Sequence, residues 1–194
     1  MDIDIYQQCP CLSGKKIKFC CGKNVVSELN LILNKSGSGQ TRSALDLIER
    51  TMEKHGPLDC MLTIKTHLLI SEGRVEEAQA ANDQFLAKNP EHTTGLHHQA
   101  LIHLSNRDIK SAIDSLQDAM DSITGNEIPI SLSNAFRMIG VGMMAVGQVV
   151  GARAHLQYAQ LLKDDTDREL QQMLYQTFRT VSYTHLTLPT IYSV

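Results

Sequence analysis

Residues 59–92 read DCMLTIKTHLLISEGRVEEAQAANDQFLAKNPEH, and this stretch decides the fold. Within it Gly73 stands five residues before Ala78, Leu62 sixteen before it, and Pro90 twelve after it. The same marks recur outward in both directions. Ala44, Ala78 and Ala112 are spaced 34 residues apart, and Ala152 follows forty residues after Ala112. The six additional residues fall in the polar, proline-containing stretch 125–133, which reads as a loop insertion. Gly39 repeats Gly73; Leu62, Leu96 and Phe136 keep one register, Ala100 and Gly140 another, Ala119 and Ala159 a third. From residue 25 onward Ala, Leu, Glu, Gln and Lys are plentiful, and these favour helix. Small residues at fixed places let two antiparallel helices approach closely.

A 34-residue period with small residues at the crossing resembles the tetratricopeptide repeat. The resemblance implies an all-α, TPR-like α-solenoid of helical hairpins, with units at 25–58, 59–92, 93–126 and 133–166 and a partial one at 167–179. The match is degenerate: Leu69, His103 and Met143 stand where the family usually carries tyrosine, and the closing proline occurs once. Glu28 takes an apolar slot in the first unit. Leu170, Met173 and Leu174 form the apolar stripe of the last helix, which is expected to lie partly uncovered for want of a partner.

Ahead of the repeats, residues 9–22 read CPCLSGKKIKFCCG. Four thiolates at this spacing can close a tetrahedral Zn²⁺ shell with no open position, the mark of a structural site. Ser13-Gly14 supplies a turn, and Gly22 releases the chain after the last ligand. Ile17 and Phe19 alternate with Lys16 and Lys18, a period-two pattern that predicts a small strand hairpin. So short a segment buries too little apolar surface to fold alone. Zinc binding, at about 10–16 kcal/mol, supplies the deficit. A disulfide between adjacent Cys20 and Cys21 would be strained, and iron–sulfur clusters use wider spacing.

Cys9, Pro10, Cys11, Ser13, Gly14, Lys15, Lys16, Cys20, Cys21 and Gly22 resemble the SEC-C motif, the zinc-binding tail module of the preprotein translocase motor. The resemblance covers residues 5–24 and implies Cys9, Cys11, Cys20 and Cys21 as the metal ligands. Leu12 departs from the family glycine. With the start Met-Asp-Ile-Asp-Ile-Tyr and the degenerate repeats, the chain resembles the N-terminal part of long bacterial SEC-C/TPR proteins of planctomycete type. That likeness concerns fold and binding class only.

Composition limits function further. A hydrophobic content of 42% with 20% charged residues fits a folded chain, while 5% aromatics and no Trp leave aliphatic residues, Ala and Met to build the core. The net charge of −3 gives no global case for nucleic-acid binding, although Lys15, Lys16, Lys18 and Lys23 crowd the cysteine segment. The acidic start lacks the basic and apolar regions of a secretory signal. The longest apolar run, Met138 to Val150, is too short to span a bilayer. The expected location is cytoplasmic, where thiols stay reduced and clustered cysteines hold metal.

Other candidates carry less. The eight histidines include no pair at metal-binding helical spacing, and adjacent His97 and His98 point about 100° apart on a helix. They read as structural residues, either satisfied or exposed. Cys60 reads as a buried small hydrophobe rather than a reactive thiol. No phosphate loop, nucleophile elbow or dinucleotide fingerprint is present, so no enzyme is expected. The leading reading is an adaptor that presents a concave repeat groove to a protein or peptide, with no membrane contact; a face rich in acidic and amide side chains would favour it. A second is nucleic-acid or ribosome contact through the basic knuckle, with Phe19 the sole aromatic platform. A third is the regulatory part of an enzyme whose catalytic portion lies beyond Arg179.

The helical period stops before VSYTHLTLPTIYSV, residues 181–194. This stretch resembles the translated read-through of a transposase sequencing adapter. The resemblance implies that residues 180–194 are not native, have no reproducible structure, and that the natural protein is longer.

Overall fold

The computed structural model describes residues 3–123, 131–162 and 168–184. The architecture is an α-solenoid of stacked antiparallel hairpins. The helices are α1 (Val26–Gly37), α2 (Thr41–His55), α3 (Asp59–Ser71), α4 (Val75–Leu86), α5 (Thr93–Ser105), α6 (Ile109–Asp121), α7 (Ser131–Ala145), α8 (Val149–Leu161) and α9 (Arg168–Thr184). They pair in order as α1/α2, α3/α4, α5/α6 and α7/α8, and α9 packs on α8. The first helices also touch one another, α3 against α5 and α5 against α7.

The reason lies in which positions are small. Ala44, Ala78, Ala112 and Ala152 are all fully buried where the two helices of a hairpin cross. Gly140 shows the constraint most sharply: a Cβ there would sit 2.8 Å from Leu156 Cγ and 3.2 Å from the Ala152 carbonyl oxygen. Helix α3 buries eight of its thirteen residues, so it is enclosed by neighbours on more than one side.

Each hairpin turns through the same hydrogen-bonded corner. Gly73 N–H donates to Ile70 O at 3.0 Å and Arg74 N–H to Leu69 O at 2.9 Å. Gly39/Gln40, Arg107/Asp108 and Gly147/Gln148 repeat this pair of bonds. This is a Schellman closure, which needs a left-handed residue at its apex. Asp108 then caps α6, accepting from Ser111 N–H at 3.0 Å.

Two buried clusters run along the stack. One joins the cysteine segment to α1–α5 through Cys9, Cys11, Ile17, Leu29, Ile32 and Cys60. The other carries Leu116, Leu132, Phe136, Ile139 and Leu156 through to α9.

Three expectations are corrected. Leu170 and Leu174 are buried in the second cluster, where α9 packs on α8 and Glu169 reaches Arg137 of α7; only Met173 is part-exposed. Helix α9 runs on through residues 181–184, beyond Arg179, since the helical ladder carries across that junction. The rest of the tail, residues 185–194, and most of the 125–133 insertion lie outside the described residues. The predicted strand at Ile17–Phe19 is instead a single 3-10 turn, preceded by one antiparallel bridge between Gln8 and Lys16. Neighbouring side chains on a strand face opposite ways. A chain that aims both Cys20 and Cys21 at one point has to bend around them.

Candidate functional site

The cysteine segment folds back on itself by main-chain bonds from Cys9 N–H to Lys15 O, Ile17 N–H to Gln7 O and Lys18 N–H to Ile5 O. A turn closes from Leu12 N–H to Cys9 O at 2.9 Å, with Leu12 in the left-handed region at φ 58°. Gly22 lets the chain leave tightly: a Cβ there would meet Leu29 Cδ1 at 2.9 Å and Ile17 Cγ2 at 3.3 Å. The knuckle thereby rests on the first turn of α1.

This fold gathers Cys9, Cys11, Cys20 and Cys21, whose sulfurs all lie within 4.8 Å of one another. Cys9 and Cys21 are 3.6 Å apart, Cys11 and Cys20 3.4 Å, and Cys20 and Cys21 3.9 Å. A tetrahedron with metal–sulfur bonds of about 2.3 Å has edges of about 3.8 Å. Four thiols so arranged could hold one metal ion. Ser13 Oγ lies 3.3 Å from both Cys11 Sγ and Cys20 Sγ, accepting from the Cys11 thiol and free to donate its one proton to Cys20 Sγ.

Crowding sets the protonation. Hydrogen bonds from Cys11, Cys21 and Cys60 hold the Cys9 thiol below the ordinary range. Its bond with Cys11 pushes Cys21 up, joined by Cys60, Cys9 and burial. Cys11 is eased by Cys21, but its bond to Cys9 and burial win, and it is pushed up to about 12. Cys9 thus favours the thiolate while Cys11 and Cys21 resist it. A bound cation removes that conflict, since coordinated thiols are deprotonated.

Cys60 is buried, as expected of a small hydrophobe, yet it does more than fill space. Its backbone N–H donates to Cys21 Sγ at 3.2 Å, and Thr63 Oγ1 lies 3.2 Å from Pro10 O while sharing its one proton with Asp59 O and Cys60 O at 3.1 Å each. Both residues lie in the first turns of α3. No sequence signal marks them, because a main-chain N–H carries no side-chain identity.

Beside the knuckle runs a groove of about 560 Å³, walled by α1, α3, α5 and α7. Pro10 and Leu12 of the knuckle close one end, and Asn134, Arg137 and Met138 lie toward the other. Its lining is largely apolar with scattered hydroxyls and histidines, and among the described residues Arg137 is its sole Lys, Arg, Asp or Glu. The acidic and amide side chains that would favour the adaptor are represented in this lining by Asn134.

His97 and His98 line this groove and are neither satisfied nor exposed. They are 5% and 4% exposed, with ring centroids 5.3 Å apart. Neither nitrogen of His97 has a partner, nor does His98 Nδ1. Burial and nearby His67 lower His97 to about 4, and burial drives His98 down too. Both rings are neutral at neutral pH.

On the knuckle's outer face Tyr6 is 54% and Phe19 70% exposed. Lys18 Nζ sits 4.2 Å from the Tyr6 ring centroid and 4.6 Å from that of Phe19. The sequence singled out Phe19 alone; the structure adds Tyr6. Among the described residues no helix is long and apolar enough to cross a membrane.

No family model matches the chain, and no curated protein matches it. A solved structure, a tetratricopeptide repeat protein from Parabacteroides merdae ATCC 43184, shares the architecture with a TM-score of 0.60 and 16% identity. The match covers 82% of this chain and 59% of that one. The chain is thus a TPR-like α-solenoid, and it spans 59% of the length of the protein it matches.

Proposed function

We propose that the protein is a zinc-binding adaptor that captures a protein or peptide segment in the groove, without catalysis of its own. The groove carries this reading: residues of four first helices line one largely apolar channel on a stack of hairpins. Zinc suits four sulfur donors at tetrahedral spacing, and a shell closed by Cys9, Cys11, Cys20 and Cys21 leaves no position for substrate. The SEC-C likeness supports the same ligand set. The cytoplasm suits an all-thiol site. The adapter-like tail supports reading the chain as the N-terminal part of a longer protein.

The test is a selection of phage-displayed random peptides on zinc-loaded protein. Peptides whose binding is lost in Met138→Glu and Leu12→Glu would support the groove. Peptides indifferent to both would place binding elsewhere.

The Tyr6–Lys18–Phe19 surface favours a second reading, contact with single-stranded nucleic acid by stacking and charge. Neutralising Lys15, Lys16 and Lys18 tests it in a gel-shift with a single-stranded RNA at physiological salt. No shift with the unaltered protein rules that reading out.

A further inference from the structure

We propose that Cys60 and Thr63 are positioning residues for the metal centre, so that metal loading builds one end of the groove. This rests on the zinc and groove readings above and goes beyond them by making the two sites one device. The knuckle and α3 are joined by the bond from Cys60 N–H to Cys21 Sγ and by the contact of Thr63 Oγ1 with Pro10 O, which shares its proton with Asp59 O and Cys60 O. Four thiolates around a divalent cation carry a net double negative charge. The first turn of a helix offers free N–H groups and a positive dipole end to such a charge. Donors to ligand atoms outside the shell fix ligand orientation and tune affinity.

The same two contacts place Pro10 and Leu12 against the groove, beside Leu33 of α1 and Ile64, His67 and Leu68 of α3. Ile3 N–H donates to Asn30 Oδ1 and so pins the start of the chain to α1. Of the knuckle proper, only Cys9, Cys11 and Ile17 are deeply buried hydrophobics. Without a cation to hold the sulfurs, that core is too small to keep the segment folded. Cys21 then ceases to be a fixed acceptor, and Pro10 and Leu12 leave the channel. The groove opens at its N-terminal end while α5–α8 stay packed.

The experiment uses the whole chain loaded with ¹¹³Cd in place of zinc. The expected signature is a scalar coupling between the cadmium nucleus and the Cys60 amide proton, transmitted through the Cys21 sulfur. Adding a chelator should speed exchange of the Cys60 amide by at least tenfold. It should shift the methyl signals of Leu33, Ile64 and Leu68 and leave Leu132 and Leu156 in place. Thr63→Val, with metal bound, should release cadmium about twofold to fivefold faster, up to the worth of one net hydrogen bond, since the hydroxyl also bonds within α3. Cadmium held by the four cysteines with no coupling to Cys60, or with groove methyls unmoved on chelation, overturns the proposal. Failure to bind cadmium at all overturns the zinc reading beneath it.

Discussion

Arg107 turns the third hairpin at φ 63°, in the corner where Gly73 turns the second at φ 71°. The two residues make the same pair of closing bonds, thirty-four positions apart. A left-handed conformation costs an L-residue about 1–2 kcal/mol, and glycine gives back part of that as chain entropy. Arg107→Gly is expected to stabilise the protein by about 0.5–1 kcal/mol in urea unfolding. Gly73→Ala is expected to cost a comparable amount.

The buried alanines set the helix separation. Ala78→Leu or Ala112→Leu should overpack its crossing and lower stability by about 1–3 kcal/mol. Unfolding midpoints of the two variants check this, with Ala80→Leu, on the exposed face of α4, as the neutral comparison.

Gly22 faces Leu29, Ile17 and Cys9 too closely to admit a methyl group. Gly22→Ala should weaken metal binding by at least tenfold in competition with a colorimetric chelator. Leu12→Gly, which relieves a left-handed leucine, should strengthen binding severalfold.

Metal binding should also fail in acid. The Cys11 thiol, pushed up to about 12, and Cys21, pushed up as well, give up their protons on coordination. Affinity therefore rises with pH, and zinc should be released progressively below neutrality. Proton release measured on zinc addition in a weakly buffered solution checks the sign.

The histidine pair gives a separate acid effect. An unfolded histidine protonates near 6.5, whereas His97 does so only near 4. Between those values the unfolded chain binds more protons, so stability falls as the pH drops from about 6.5 toward 4. For His97 alone the loss is roughly 3 kcal/mol by pH 4. His97→Leu should flatten this part of the stability profile even after zinc is gone.

The solenoid was legible because close packing permits only small side chains where helices cross, and Ala44, Ala78 and Ala112 betray that at a fixed period. The cysteine cluster was legible because a metal shell fixes ligand number and spacing. Arg107 hid the third corner, since nothing in an arginine announces a positive φ. His97 and His98 were misjudged by treating α5 as a helix with one inner face. Enclosed between α3 and α7, it buries neighbours that point in different directions. Tyr6 escaped notice because it lies outside the cysteine spacing and reaches Lys18 only through the folded turn.

The bond from Cys60 to Cys21 spans 39 residues, which bears on how the chain is made. Synthesis delivers all four cysteines of the cluster before the second hairpin exists. The nascent knuckle can gather an ion at that stage, but with one sulfur lacking its donor from α3. Only when Asp59–Ser71 has emerged and coiled does the segment acquire its seat. A segment made before the second hairpin is thus completed only by it, and any ion the four cysteines could hold gains its α3 donor at that later stage.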